Sequence, residues 1–170
     1  MKRVILALAL LAATGAWAGK PHVHGAATLD VALDQKRLTL SLETPLDGLL
    51  GFERAPRTAA ERQAADQAIA TLRAADTLFT TDPAAGCRLA SVELVSAALK
   101  LGAAPAGQDD GHADLDADVA FDCVQPPRFV EVGLFRAFPR IKRLDVQTAT
   151  PAGQRKLALT GSAPRIELTR

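Results

Sequence analysis

Tyrosine is absent from this 170-residue sequence, and the one tryptophan, Trp17, lies near its start. Sugar-cleaving clefts need a paired acid and a wall against which the ring can rest. Glu43 and Glu53 could supply the acids, but almost no aromatic lining accompanies them, which argues against carbohydrate hydrolysis. Other catalytic signatures are missing too: there is no Gly-x-Ser-x-Gly elbow, no His-Glu-x-x-His and no phosphate-binding glycine loop. Ser41, Ser91 and Ser96 have no motif around them and read as outward strand residues. The sequence is therefore expected not to be an enzyme. There is no basic run either, which argues against nucleic acid and against electrostatic attachment to a membrane.

Long apolar runs are scarce as well, and the one at the start has a specific layout. Lys2 and Arg3 precede an apolar stretch from Val4 to Ala13, followed by small residues and Ala16-Trp17-Ala18. That is the order of a secretory signal peptide, Met1–Ala18, with cleavage after Ala18. The stretch is too short to span a bilayer comfortably, and no Cys follows the cleavage site to take a lipid. The expectation is a soluble, exported protein, periplasmic in location, with residues 19–170 forming a single domain. Without Lys2 and Arg3, 18 Lys and Arg face 19 Asp and Glu, a nearly neutral balance.

Cysteine is used twice only. An even pair, Cys87 and Cys123, in an oxidising compartment points to a disulfide rather than two reactive thiols, and without a Cys-x-x-Cys a thiolate metal site lacks its partner ligands. A bridge over that separation stabilises the fold by about 3–4 kcal/mol in the chain-entropy model.

What is present is alternation. Leu29, Val31 and Leu33 share one strand face, Leu38, Leu40 and Leu42 another, and polar Asp34-Gln35-Lys36-Arg37 lies between. A turn centred on Gln35-Lys36 pairs Leu33 with Leu38, Val31 with Leu40 and Leu29 with Leu42, so all apolar pairs fall on one side. Pro45 to Pro56, punctuated by Gly48 and Gly51, reads as a connecting segment. Thr58-Ala59-Ala60-Glu61 has capping-box spacing and opens a helix expected to reach about Asp76, with Ala65, Ala68, Ile69 and Leu72 as its apolar stripe. Cys87 to Leu99 reads as a strand, with helix as the competing assignment. His112 to Cys123 is the most regular strand, its odd positions apolar and its even positions mostly acidic. Paired across the 102–111 loop, the two bring Cys87 and Cys123 together. Val130 to Pro139 mixes strand and short-helix signals, and short strands are expected at Leu144–Thr148, Lys156–Thr160 and Arg165–Leu168. The sum is an α+β fold: a mostly antiparallel β-sheet with one main helix packed on it and one disulfide.

The three histidines are the remaining chemical signal. If the first strand begins early, His22 and His24 project to one side of it, the polar one, with Thr28, Asp30, Ser41 and Glu43. His112 shares its strand face with Asp114, Asp116 and Asp118, and imidazole with carboxylate is a Zn²⁺ ligand set. The competing reading is an ordinary solvated strand face. An amino-terminal copper or nickel clamp is excluded, because His22 is fourth after cleavage and Pro21 has no amide hydrogen.

Several stretches also match a known pattern in order: His22-Val-His-Gly-Ala-Ala-Thr-Leu, Leu42-Glu-Thr-Pro, Gly51-Phe-Glu-Arg-Ala-Pro, His112-Ala-Asp-Leu-Asp-Ala-Asp-Val-Ala-Phe-Asp-Cys and Leu134-Phe-Arg-Ala-Phe-Pro, with Val146-Gln-Thr and Gly153-Gln. In these the chain resembles the ZrgA-like family of small periplasmic zinc-binding proteins, found with bacterial zinc-uptake systems. Arg54 stands where that family's motif usually has His. The resemblance implies Zn²⁺ as the bound ion, His22, His24 and His112 as ligands, and Glu43, Glu53 and Asp114 as carboxylate candidates. It also implies a zinc-importer component as partner. Ligands so near a chain terminus would allow a metal shared between two copies in a homo-oligomer. The expectation is thus an accessory protein that captures or buffers Zn²⁺ for uptake. The alternative is a non-catalytic structural or interaction module of a transport complex with no specific metal site.

Overall fold

A computed structural model describes residues 23–103, 113–161 and 164–169. The expected signal peptide at 1–18, His22 and His112 lie outside the described residues. The fold begins with the hairpin of β1 (Ala26–Asp34) and β2 (Arg37–Pro45), whose register pairs Leu29 with Leu42, Val31 with Leu40 and Leu33 with Leu38. That is the pairing the alternation predicts. Gln35 takes a φ of 51° at the turn, so a two-residue connection is made without glycine.

Strand β5 (Asp114–Asp122) pairs antiparallel with β2, and β4 (Arg88–Val95) pairs antiparallel with β5 across a register shift between Leu89 and Ser91. Leu115, Ala117, Val119 and Phe121 are buried while Asp116, Asp118 and Asp122 face outward, as the period of two requires. β4 stops at Val95, short of Leu99, because Ser96 and Leu101 close a tight turn on each other. At the far end of this pair Cys87 and Cys123 form a disulfide.

On the other side of β1 lies β7 (Arg143–Thr150), in parallel, followed by antiparallel β8 (Gly153–Leu159). The six strands run in the order β4-β5-β2-β1-β7-β8. A second, three-stranded antiparallel sheet has the order β3-β6-β9, made of β3 (Phe79–Thr81), β6 (Phe129–Val132) and β9 (Arg165–Glu167). Neither the parallel β1–β7 contact nor a separate small sheet is part of the fold expected from sequence.

Four α-helices, α1 (Leu46–Leu50), α2 (Ala59–Arg73), α3 (Ala75–Leu78) and α4 (Leu134–Ala137), and a 3-10 turn at Pro83–Ala85 complete the described fold. The main one, α2, starts at a reciprocal capping box in which the Thr58 side chain accepts from the Glu61 amide and the Glu61 carboxylate accepts from the Thr58 amide. It ends at Arg73, before the expected Asp76, and the chain resumes as α3 after Ala74. Ala65, Ala68 and Leu72 are buried along its stripe. The mixed segment after Pro127 resolves into β6 followed by α4. Buried side chains of both sheets and of α1 to α4 form one cluster, which includes Leu29, Leu40, Leu42, Leu46, Leu72, Phe79, Val130, Leu134 and Ile166. Opposite that core, the outer face of the six-stranded sheet is polar. Among the described residues no helix is long and apolar enough to cross a membrane.

Candidate metal centre

The hairpin register decides what meets at one end of the large sheet. Thr28 pairs with Glu43, so the residues before Thr28 and those after Glu43 leave β1 and β2 at the same end. His24 lies four residues before Thr28 and Asp47 four residues after Glu43. Pro45-Leu46 does not continue as loop. The Leu46 amide donates to the Ala113 carbonyl (2.8 Å), Leu46 and Gly48 are buried, and α1 forms there, leaving Asp47 on the turn that faces His24.

The one-turn helix ends at Gly51, whose φ of 83° and amide bond to the Asp47 carbonyl (2.9 Å) are a left-handed helix cap. This reversal brings Glu53 back beside Asp47. His24 Nδ1 lies 2.7 Å from Asp47 Oδ2 and 3.6 Å from Glu53 Oε1. One ligand atom from each of His24, Asp47 and Glu53 falls within 4.8 Å of the others, the one such group among the described residues.

The surroundings of the three groups differ. The His24 ring is mostly exposed, at 76%, whereas the Asp47 and Glu53 side chains are each 20% exposed. Asp47 Oδ1 is closed off from solvent and has no hydrogen-bond partner among the described residues. A buried carboxylate oxygen left without a donor is costly, and a cation or a water satisfies it. The hydrogen bond to Asp47 first, then the charges of Asp47 and Glu53, push the His24 imidazole above its ordinary 6.5. The cluster therefore favours positive charge at the ring nitrogen, and a proton and a metal ion compete for that position.

Of the residues proposed from sequence, His24 and Glu53 come together here. Glu43 is on the outer face of β2 opposite Asp116, outside the group. Asp114 is half-buried at the start of β5 opposite Pro45, also outside it, and its carbonyl accepts from Ser96 Oγ at 2.7 Å. His22 and His112 cannot be placed because they lie outside the described residues. Asp47 is not among the ligands expected from sequence, where 45–56 reads as a connecting segment. Its signal was available: a carboxylate as far beyond Glu43 as His24 is before Thr28, followed by a glycine able to turn the chain back.

Arg54, beside Glu53, faces away. Its guanidinium makes a two-pronged contact with Glu61 (Nη1 to Oε2 3.0 Å, Nη2 to Oε1 2.7 Å) and lies 4.8 Å from the Phe52 ring centre. Glu61 thus caps α2 and anchors the loop that carries Glu53 at once, and these bonds hold its carboxyl down to about 2 from the usual 4.5.

The acidic outer face forms a second concentration of ligand-type residues. Glu43 is paired with Asp116 and Glu93 with Asp118, while Ser41 Oγ donates to Asp118 at 2.5 Å. Partial burial, then the charges of Glu43 and Asp118, raises the Asp116 carboxyl.

A family model described as ZrgA family zinc uptake protein matches residues 21–168, a span that contains His24, Asp47 and Glu53 and almost every described residue. The chain belongs to the ZrgA family of zinc uptake proteins. A search of the curated proteins finds no match to it. Within the ZrgA family fold, then, the cluster combines one imidazole nitrogen and two carboxylate oxygens, all of them zinc donor types. Two carboxylates balance the charge of one Zn²⁺, and three protein ligands leave a fourth position for an exchangeable group.

Proposed function

We propose that this ZrgA family protein captures or buffers Zn²⁺ in the periplasm and releases it to an uptake system, without catalysis of its own, and that His24, Asp47 and Glu53 hold the ion. The reading is carried by the convergence of three zinc-type donors beside a buried, unsatisfied Asp47 oxygen. The open character of the set supports cargo handling over a structural role. Structural zinc is usually enclosed by four protein ligands, whereas three converge here among the described residues and the His24 ring is exposed, which favours access by a receiving protein. Zn²⁺ suits an oxidising compartment because it needs no redox control, and the amino-terminal signal pattern supports export.

The experiment is the metal content of protein purified without an affinity tag, followed by zinc titration against a chromophoric chelator for wild type and for His24→Ala, Asp47→Ala, Glu53→Gln, His22→Ala and His112→Ala. Near-stoichiometric zinc and a large loss of affinity in the first three variants are expected. Unchanged affinity in all three would remove this site. No zinc at all, together with capture of a transport component, would favour the scaffold alternative.

A further inference from the structure

Beside the His24 cluster is an open cavity of about 650 Å³ lined by His24, Gly25, Asp47, Gly51, Pro139, Arg140 and Lys142. Its two cations are brought there by the backbone. The Gly25 carbonyl accepts from the amides of Lys142 (2.7 Å) and Arg143 (3.1 Å), which fixes the start of β7 against the residue after His24. Both flanking glycines have positive φ, 75° at Gly25 and 83° at Gly51, a backbone conformation that favours glycine, and Arg140 packs close to each. A Cβ on Gly51 would stand 2.8–2.9 Å from the Arg140 guanidinium, and one on Gly25 would stand 3.2 Å from the Arg140 carbonyl. The guanidinium therefore lies directly over Gly51, between Asp47 and Glu53 in the chain. Among the described residues neither the Arg140 nor the Lys142 side chain has a hydrogen-bond or ion-pair partner, although four other arginines, Arg37, Arg54, Arg128 and Arg165, each hold a carboxylate from another part of the chain.

In the empty site the charges of Arg140 and Lys142 offset those of Asp47 and Glu53, so these cations reduce the pull on a bare divalent ion. They make physical sense if the incoming species carries negative charge. Once Asp47 and Glu53 have balanced Zn²⁺, the rim keeps its own surplus of positive charge, and the cavity beside His24 and Asp47 is far larger than one water needs. Building on the His24 reading above, we propose that this cavity binds zinc together with a small organic carboxylate. One carboxylate oxygen fills the fourth zinc position, and the anion pairs with Arg140 and Lys142, whose guanidinium and ammonium suit it.

The test measures zinc affinity by chelator competition in increasing acetate, at ionic strength matched with nitrate and corrected for zinc bound by acetate itself. Binding of acetate to the zinc complex should tighten the apparent zinc affinity, about tenfold when acetate reaches about ten times its own Kd. In the Arg140→Gln/Lys142→Gln double variant the acetate effect should vanish, while zinc without acetate binds as tightly or more tightly. With Co²⁺ in place of zinc, acetate should change the visible absorption spectrum of wild type and leave that of the double variant unchanged. Zinc binding that is indifferent to acetate in wild type, or equally enhanced in the double variant, overturns the carboxylate inference while leaving the His24 site standing. Failure to bind zinc under either condition overturns both.

Discussion

Leu40 tests the arrangement of the large sheet most directly. It sits on β2 between Val31 of β1 and Val119 of β5 and is 1% exposed. Leu40→Ala removes three carbon atoms from the middle of a ladder whose neighbours are held on both sides by backbone hydrogen bonds. Collapse into the space is thus limited, and the expected cost lies in the upper part of the range for buried leucine, about 3–5 kcal/mol. For a domain of this size that corresponds to a fall in Tm of roughly 6–20 °C. The adjacent Ser41 faces outward, and its hydroxyl donates to Asp118 across the strand pair. Ser41→Ala removes one exposed hydrogen bond and should cost less than about 1 kcal/mol. Urea unfolding of both variants, followed by circular dichroism, gives the two values on one scale. Equal losses at Leu40 and Ser41 would refute the assignment of inner and outer faces and the hairpin register with it.

Other outcomes follow from the same structure. Mass spectrometry of non-reduced protein should show Cys87 linked to Cys123. Replacing both by Ala should lower stability by about 4 kcal/mol in the chain-entropy model for a separation of 36 residues, and a loss under about 1 kcal/mol would mean the bridge does not restrain the unfolded chain. Glu61 has its carboxyl lowered from 4.5 to about 2 in the fold, so its contribution to stability is fully present above pH 4.5 and is lost as pH falls towards 2. Glu61→Gln should therefore be less stable than wild type at neutral pH, with the gap closing at pH 2, and a gap independent of pH would count against the capping and loop-anchoring role. Because the bond to Asp47 raises the His24 imidazole of the metal-free site above 6.5, the apparent zinc affinity should begin to fall at a pH above that value. Zinc affinity that stays constant between pH 8 and pH 6 would show that His24 is not a ligand.

Much of this molecule could be worked out from local pattern alone. The period of two in 29–33 and 38–42, taken with a two-residue turn at Gln35-Lys36, gives a register that buries every one of those apolar side chains on one face, and the structure adopts it. Thr58 and Glu61 at capping spacing mark the start of α2, since both sides of that exchange lie within one turn. The cysteine pair is read from compartment and number. These features rest on neighbours in sequence or on a simple count, so periodicity and composition reach them.

The remaining features depend on contacts between distant segments. Parallel pairing of β1 with β7 joins Leu29 to Val146, and no turn between them signals it. The small sheet is built of strands of three or four residues, too short for a periodic signal, and is held by packing of Phe79, Val130 and Ile166 into the common core. The site shows the same division. Its residue types, histidine and carboxylate, are plain in the sequence, as is the ZrgA-like pattern around them. Which carboxylates meet His24 was decided by the end of the hairpin, the turn of α1 and the reversal at Gly51, which select Asp47 and Glu53 and leave Glu43 and Asp114 elsewhere. A sequence fixes which side of a strand a residue occupies, because alternation is local. Only the folded chain fixes which ends of which strands lie together, and a metal site is built where they do.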